Sequence, residues 1–153
     1  MKKILDRLEK KQFVLLSIIL AMACDGILLG YLYLKFSNRK FFDLAIDQIK
    51  AADPQVAQAL APEYVEQLFM LTLNTLILML LLVAVFHLII LIFFSKEKPF
   101  AIGYLKIYSY MAIPGFILFT IANMSSPIWA IAFSLGAVVY VFQVKGIKHH
   151  LSD

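Results

Sequence analysis

Between Lys106 and Lys145 the chain carries no Asp, Glu, Lys or Arg, a run of about 38 residues that would make roughly 57 Å of α-helix. The hydrocarbon core of a bilayer is only about 30 Å thick, so one helix of this length would overshoot it almost twofold. The run must fold back. The break falls at Asn123-Met124-Ser125-Ser126-Pro127, where polar turn formers meet a proline suited to the first turn of the next helix. Two spans result, 101–122 and 127–144, joined as a tight hairpin.

Two further runs are long enough to cross. Residues 13–34 hold Asp25 as their single charge and extend roughly 33 Å as a helix. After Glu66 no charge occurs until Lys96, about 29 residues or roughly 43 Å, so a span at 67–94 should tilt or protrude. Pro62, Glu63 and Glu66 read as its start, because proline fits the first turn and carboxylates favour the positive end of the helix dipole. Composition agrees: 62% of residues are hydrophobic and 16% charged, against about 25% charged in soluble domains. A free-standing soluble enzyme is excluded, and the expected fold is all-α, one polytopic membrane domain with four transmembrane helices.

Outside the spans, Ile4, Leu5 and Leu8 share one face of a basic N-terminal segment over 1–12, which reads either as a helix lying on an anionic leaflet or simply as a charged flank of span one. The apolar run behind it is too long for a signal peptide and is read as a retained first helix. In the loop 35–66, Phe41, Phe42, Ala45, Ile46 and Ile49 recur at helical spacing. Asp53-Pro54 reads as a cap and first-turn proline, with Val56, Ala59 and Leu60 continuing an apolar face. A helical cap between spans one and two is therefore expected.

The net charge of +4 comes from basic residues flanking the spans, a membrane-topology signature and not a nucleic-acid patch. Lys2, Lys3, Arg7, Lys10, Lys11, Lys96, Lys98, Lys145 and Lys148 fall on one side of a four-span chain, and Lys35, Arg39, Lys40 and Lys50 on the other. By the positive-inside rule both termini are cytoplasmic, in a multi-pass protein of the cell membrane such as a bacterial inner membrane.

Asp25 is the sharpest single feature. It lies roughly 18 Å into its span, where an unpaired carboxylate costs at least about 2.5 kcal/mol. Either it relays protons or cations, or it is a structural acid held protonated or hydrogen-bonded to Asn74, Thr75 or a backbone carbonyl, with ion pairing to Lys106 a third arrangement. The structural reading is preferred, since no second intramembrane acid exists. His87, in the inner half of span two, reads as a neutral histidine satisfied by a serine or backbone carbonyl, or else as a proton carrier. Lys106 is expected to snorkel to the interface. Asn74, with Thr72 and Thr75, suits interhelical hydrogen bonding.

Gly26 and Gly30 form a GxxxG that permits close helix approach, within the chain or across a dimer. Pro114, followed by Gly115, withholds an amide inside span three and should kink it near Tyr110. His149-His150 reads as a solvated tail, not a metal site. With Cys24 alone, neither an intrachain disulfide nor a thiolate metal cluster is available. No phosphate loop, HExxH, serine elbow or CxxC occurs, and no cluster of acids suits a metal-dependent headgroup transferase. No cofactor is expected.

Lys98-Pro-Phe100, with the stretch from Leu105 through Lys106, Tyr108 and Tyr110 to Pro114, resembles the segment of Yip-type (Ypt-interacting protein) domains in which a short loop leads to a basic residue, a tyrosine and a proline. Ile128-Trp129, and Val144-Lys145-Gly146-Ile147 after the last span, are similar to that family's final motif. The resemblance covers residues 67–148. It implies an integral membrane protein with cytoplasmic ends and no catalytic residues, whose eukaryotic relatives act in vesicle trafficking with small GTPases. Such domains usually carry five spans, against four here. The expected function is thus a non-enzymatic membrane component, an accessory subunit or organiser with other membrane subunits or its own copies as partners. The alternative is a small proton- or cation-coupled transporter using Asp25.

Overall fold

The computed structural model describes residues 2–53, 55 and 60–151. Six helices are placed among them: α1 (Lys2–Leu5), α2 (Lys10–Phe36), α3 (Arg39–Ala52), α4 (Pro62–Ser95), α5 (Pro99–Ala122) and α6 (Pro127–His150). No strand occurs among the described residues. Four of the helices, α2, α4, α5 and α6, are long and apolar enough to cross a membrane, and the protein is an integral, multi-pass membrane protein.

Local chemistry sets the helix ends. Pro99 and Pro127 occupy first-turn positions of α5 and α6, where a missing amide costs nothing. Asn38 caps α3 by accepting from the Lys40 amide at 3.0 Å. The α5–α6 turn is closed by the Asn123 side chain, whose Nδ2 donates to Phe119 O at 2.8 Å. At the end of α4, Glu97 takes the left-handed conformation (φ 54°) while the Lys98 amide reaches back to Phe93 O at 3.1 Å. Glycine normally fills such a position, and a residue with a Cβ there costs on the order of 1 kcal/mol.

Contacts divide the chain into two compact units, 1–27 with 86–153, and 28–85. The larger unit is cored by Phe13, Phe94, Ala101, Leu105 and Ile147, all fully buried, with Leu5 and Leu91 beside them. Two glycines of α6 let bulky rings close: a Cβ on Gly136 would lie 2.3 Å from the Phe116 ring, and one on Gly146 would lie 1.9 Å from that of Phe13. Lys10 pairs with Glu97 at 2.6 Å, and His149 Nε2 stands 3.4 Å from Asp6 Oδ1. The chain start, the α4–α5 turn and the end of α6 therefore meet at one end of this unit, as an even number of spans requires.

The smaller unit contains α3. Arg39 bridges Asp43 (2.8 Å) and Glu66, and its guanidinium lies 4.8 Å from the centre of the Phe69 ring, which packs on Phe42. The contacts to Glu66, then Asp43, hold the guanidinium more firmly protonated than an ordinary arginine.

Three expectations change, and a fourth is met over the residues described. The N-terminal segment is not one in-plane helix: α1 ends at Leu5, residues 6–9 form a turn, and Leu5 is buried in the core while Ile4 is exposed. A helix this short gains more by inserting one leucine than by resting a face on lipid. His149 and His150 form no tail: they complete α6, and although His149 stays exposed, the His150 ring stacks on Phe13 at 5.1 Å. A Cβ at Gly26 or Gly30 would meet nothing within 4 Å, so this pair supports no close approach inside the chain; the close approaches fall at Gly136 and Gly146. The cap between spans one and two is helical over Arg39–Ala52, and Asp53 Oδ1 accepts from the Gln55 amide at 2.8 Å. The continuation read from Pro54, Val56 and Ala59 lies outside the described residues.

Candidate functional site

Asp25 is met by one side chain from each of the other three spanning helices. His87 of α4 places Nδ1 2.6 Å from Oδ2, while Tyr108 of α5 and Tyr140 of α6 each donate a hydroxyl to Oδ1 at 3.1 Å. The carboxyl group keeps 14% of its side-chain surface exposed and the imidazole 6%. The rings brace one another: His87 stands edge-on to Tyr108 with centroids 4.3 Å apart, and Tyr108 is edge-on to Tyr140 at 5.6 Å. Tyr104, one turn before Tyr108, is edge-on to His87 at 5.9 Å.

The helical repeat explains why these residues converge. Tyr104 and Tyr108 are four apart on α5, and Tyr140 and Gln143 three apart on α6, so each pair lies on one helix face. Phenol rings are long, and they carry a hydroxyl to a depth their own Cα does not reach. Among the described residues no lysine or arginine pairs with Asp25.

A second buried polar group adjoins the first. Ser109 Oγ lies 2.6 Å from Leu105 O and 2.9 Å from Gln143 Oε1, and Ser109, Gln143 and Ser17 are each at most 1% exposed. A serine hydroxyl has one proton and cannot donate to both neighbours. Turning the Gln143 amide over resolves this: Nε2 then donates to Ser109 Oγ, which donates to Leu105 O. Gln143 Nε2, Ser17 Oγ and His87 Nε2 are buried without a hydrogen-bond partner among the described residues.

The partners of Asp25 correct the sequence expectation. Asn74, Thr75 and a backbone carbonyl were the expected contacts, whereas Asn74, Thr72 and Thr75 are exposed on α4. His87, expected to meet a serine or carbonyl, meets the carboxylate. Lys106 is half-buried and forms no ion pair among the described residues. Tyr140, Ser109, Gln143 and Ser17 were not singled out, and Tyr108 entered only through the Yip-type resemblance and not as a partner of Asp25; the available signal was the four- and three-residue spacing of polar-tipped residues on α5 and α6. Among the described residues no three His, Cys, Asp or Glu gather as a metal site, and Cys24 is a buried free thiol beside Asp25.

No family model, no curated protein and no solved structure matches this chain.

Proposed function

We propose that the chain is a non-enzymatic membrane component, an accessory subunit or organiser of a membrane complex, in which Asp25 ties the four spans together. The carrying observation is the convergence of one side chain from each span on a single carboxyl group. In lipid no hydrophobic force drives helix against helix, so interhelical hydrogen bonds and close packing set the arrangement. A fully engaged acid suits that task. The Yip-type resemblance points the same way, towards a membrane protein without catalytic residues.

An ion-coupled carrier built on Asp25 competes with this reading. A metal cation would need the two carboxylate oxygens, and both are already engaged, Oδ1 by two phenol hydroxyls and Oδ2 by the imidazole.

The test is affinity purification of the full chain from native membranes in mild detergent, with mass measurement of what accompanies it. A stoichiometric membrane partner, or a defined homo-oligomer, is expected. A lone chain that drives solute flux in liposomes would replace this reading with the carrier. In the same assay Asp25→Leu should weaken assembly, because three interhelical bonds at about 0.6 kcal/mol each come to about 2 kcal/mol. Asp25→Asn, which keeps an oxygen for the two tyrosines, should assemble as the parent does.

A further inference from the structure

Over its first two thirds α4 has a contact side and an outward side. Val65 is buried and Phe69, Leu73, Leu76 and Leu80 are half-buried, all on one side of the helix. Gln67, Leu71, Asn74, Leu78, Leu81 and Val85 lie on the opposite side, and every one of them is exposed, Leu71 by 64% and Leu78 by 58%. Their spacing alternates four and three, the 3.5-residue period of a left-handed coiled-coil seam. The leucines alone decide nothing, because lipid covers an apolar stripe as well as protein does. The amides decide it. Gln67 and Asn74 are the only two carboxamide side chains of α4, and both fall on this stripe, seven residues apart. Asn74 lies roughly 10 Å further along the uncharged run than Gln67, and its side chain makes no hydrogen bond among the described residues. Against hydrocarbon its two donors and its carbonyl would go unpaired, which an apolar solvent penalises heavily.

We propose that this stripe of α4 is the contact face of a parallel homodimer, in which Asn74 of each copy bonds Asn74 of the other. Flanking charges give every copy the same orientation in the bilayer, so two α4 helices related by a two-fold axis along the membrane normal run parallel. Like positions then meet at like depth. A carboxamide is complementary to itself: each donates one N–H and accepts one through its carbonyl. A different subunit would need an amide of its own at the same depth, whereas a second copy brings one necessarily. Gln67 repeats the pairing one heptad away, and two such pairs fix the register that leucines would leave free to slide. A groove of about 370 Å³, lined by Leu60, Tyr64, Gln67, Leu68 and Leu71, borders the N-terminal end of the stripe, so the surface there is concave and admits a ridge of side chains from a second helix.

This dimer names a partner for the role proposed above and rests on that reading for its purpose, but its test fails separately. A monomeric chain that still carries a different membrane subunit sinks the dimer and leaves the accessory role standing. Solute flux driven by the chain alone ends the accessory role and leaves the contact face untouched.

The test begins with the full chain in native membranes, cysteines being introduced one at a time and oxidised with copper phenanthroline. The native Cys24 is buried and serves as the unreactive control. Leu71→Cys, Leu78→Cys and Leu81→Cys should each yield covalent dimers, and Leu73→Cys none. Dimers through Gly30→Cys in their place would move the interface to α2 and overturn the proposal, as would the absence of cross-links at all three stripe positions. Energy transfer between labelled copies, diluted with increasing phosphatidylethanolamine and phosphatidylglycerol in liposomes, then reads the dissociation constant. Asn74→Leu should raise it about tenfold, the worth of two interhelical hydrogen bonds. Asn74→Gln keeps an amide and should stay close to the parent. An Asn74→Leu chain that dimerises as the parent does refutes the pairing, and the cross-links stand as a measurement that needs no change at Asn74.

Discussion

Gly146→Ala adds one methyl group where the Phe13 ring already stands. The new Cβ would lie 1.9 Å from Phe13 Cε2 and 2.4 Å from Cζ, against the roughly 3.5–4.0 Å at which carbons rest. The ring would have to retreat by about 1.6 Å or more. It has nowhere to go: Phe13 is fully buried, stacked on His150 at 5.1 Å and tilted against Phe142 at 5.9 Å. Overpacking of this kind costs about 1–3 kcal/mol, while alanine in place of glycine inside a helix returns about 1 kcal/mol. The net expectation is a loss of up to about 2 kcal/mol. Phe13→Leu alone should also destabilise by leaving a cavity, but in the Gly146→Ala background the smaller side chain admits the methyl group. The pair should couple by about 1 kcal/mol or more in the compensating direction. Reversible unfolding in mixed micelles of the parent, both single variants and the double variant measures this. A Gly146→Ala protein more stable than the parent, or four stabilities that add within about 0.3 kcal/mol, would refute the close approach.

Three other outcomes are expected. Cysteines at Lys3, Lys96 and Lys148 should label from the cytoplasmic side only, and one at Tyr64 from the opposite side only; labelling of Tyr64 and Lys148 from the same side would contradict four spans. Pro114→Ala should restore an amide opposite the Tyr110 carbonyl and straighten α5, lengthening a spin-label distance between positions 103 and 120; an unchanged distance removes the expected kink. Arg39→Gln ends the pairing with Asp43 and Glu66 and the contact with Phe69, so α3 amides should exchange with solvent faster, and unaltered exchange would show that Arg39 does not hold α3.

The spans were legible because run length is a local property: any 20 or so uncharged apolar residues declare themselves whatever they pack against. Asp25 was legible for the same reason, as a charge out of place. Its partners were not. Which of His87, Tyr108, Asn74 or Thr75 reaches it depends on the rotation of each helix about its own axis, and that is set by packing distributed over many residues. Tyrosine misleads further, since in a membrane chain it suggests an interfacial anchor, while Tyr140 is fully buried with its hydroxyl on Asp25. GxxxG drew notice by its pattern, yet Gly136 and Gly146, ten residues apart and matching no motif, are where rings press closest. The terminal histidines read as tail because nothing in their neighbourhood says that α6 continues to His150.

The reach of the contacts to Asp25 has a consequence for how the chain is made. Tyr108 lies 83 residues and Tyr140 115 residues along the chain from Asp25. A ribosome delivering the helices in order releases α2 into the bilayer with its acid unanswered, then supplies His87, then Tyr108, and Tyr140 last. Until α6 arrives, Asp25 lacks the Tyr140 hydroxyl, one of its three side-chain partners, and keeps a polar atom less fully answered at mid-span. The arrival of α6 and the concealment of that polar atom are then one event.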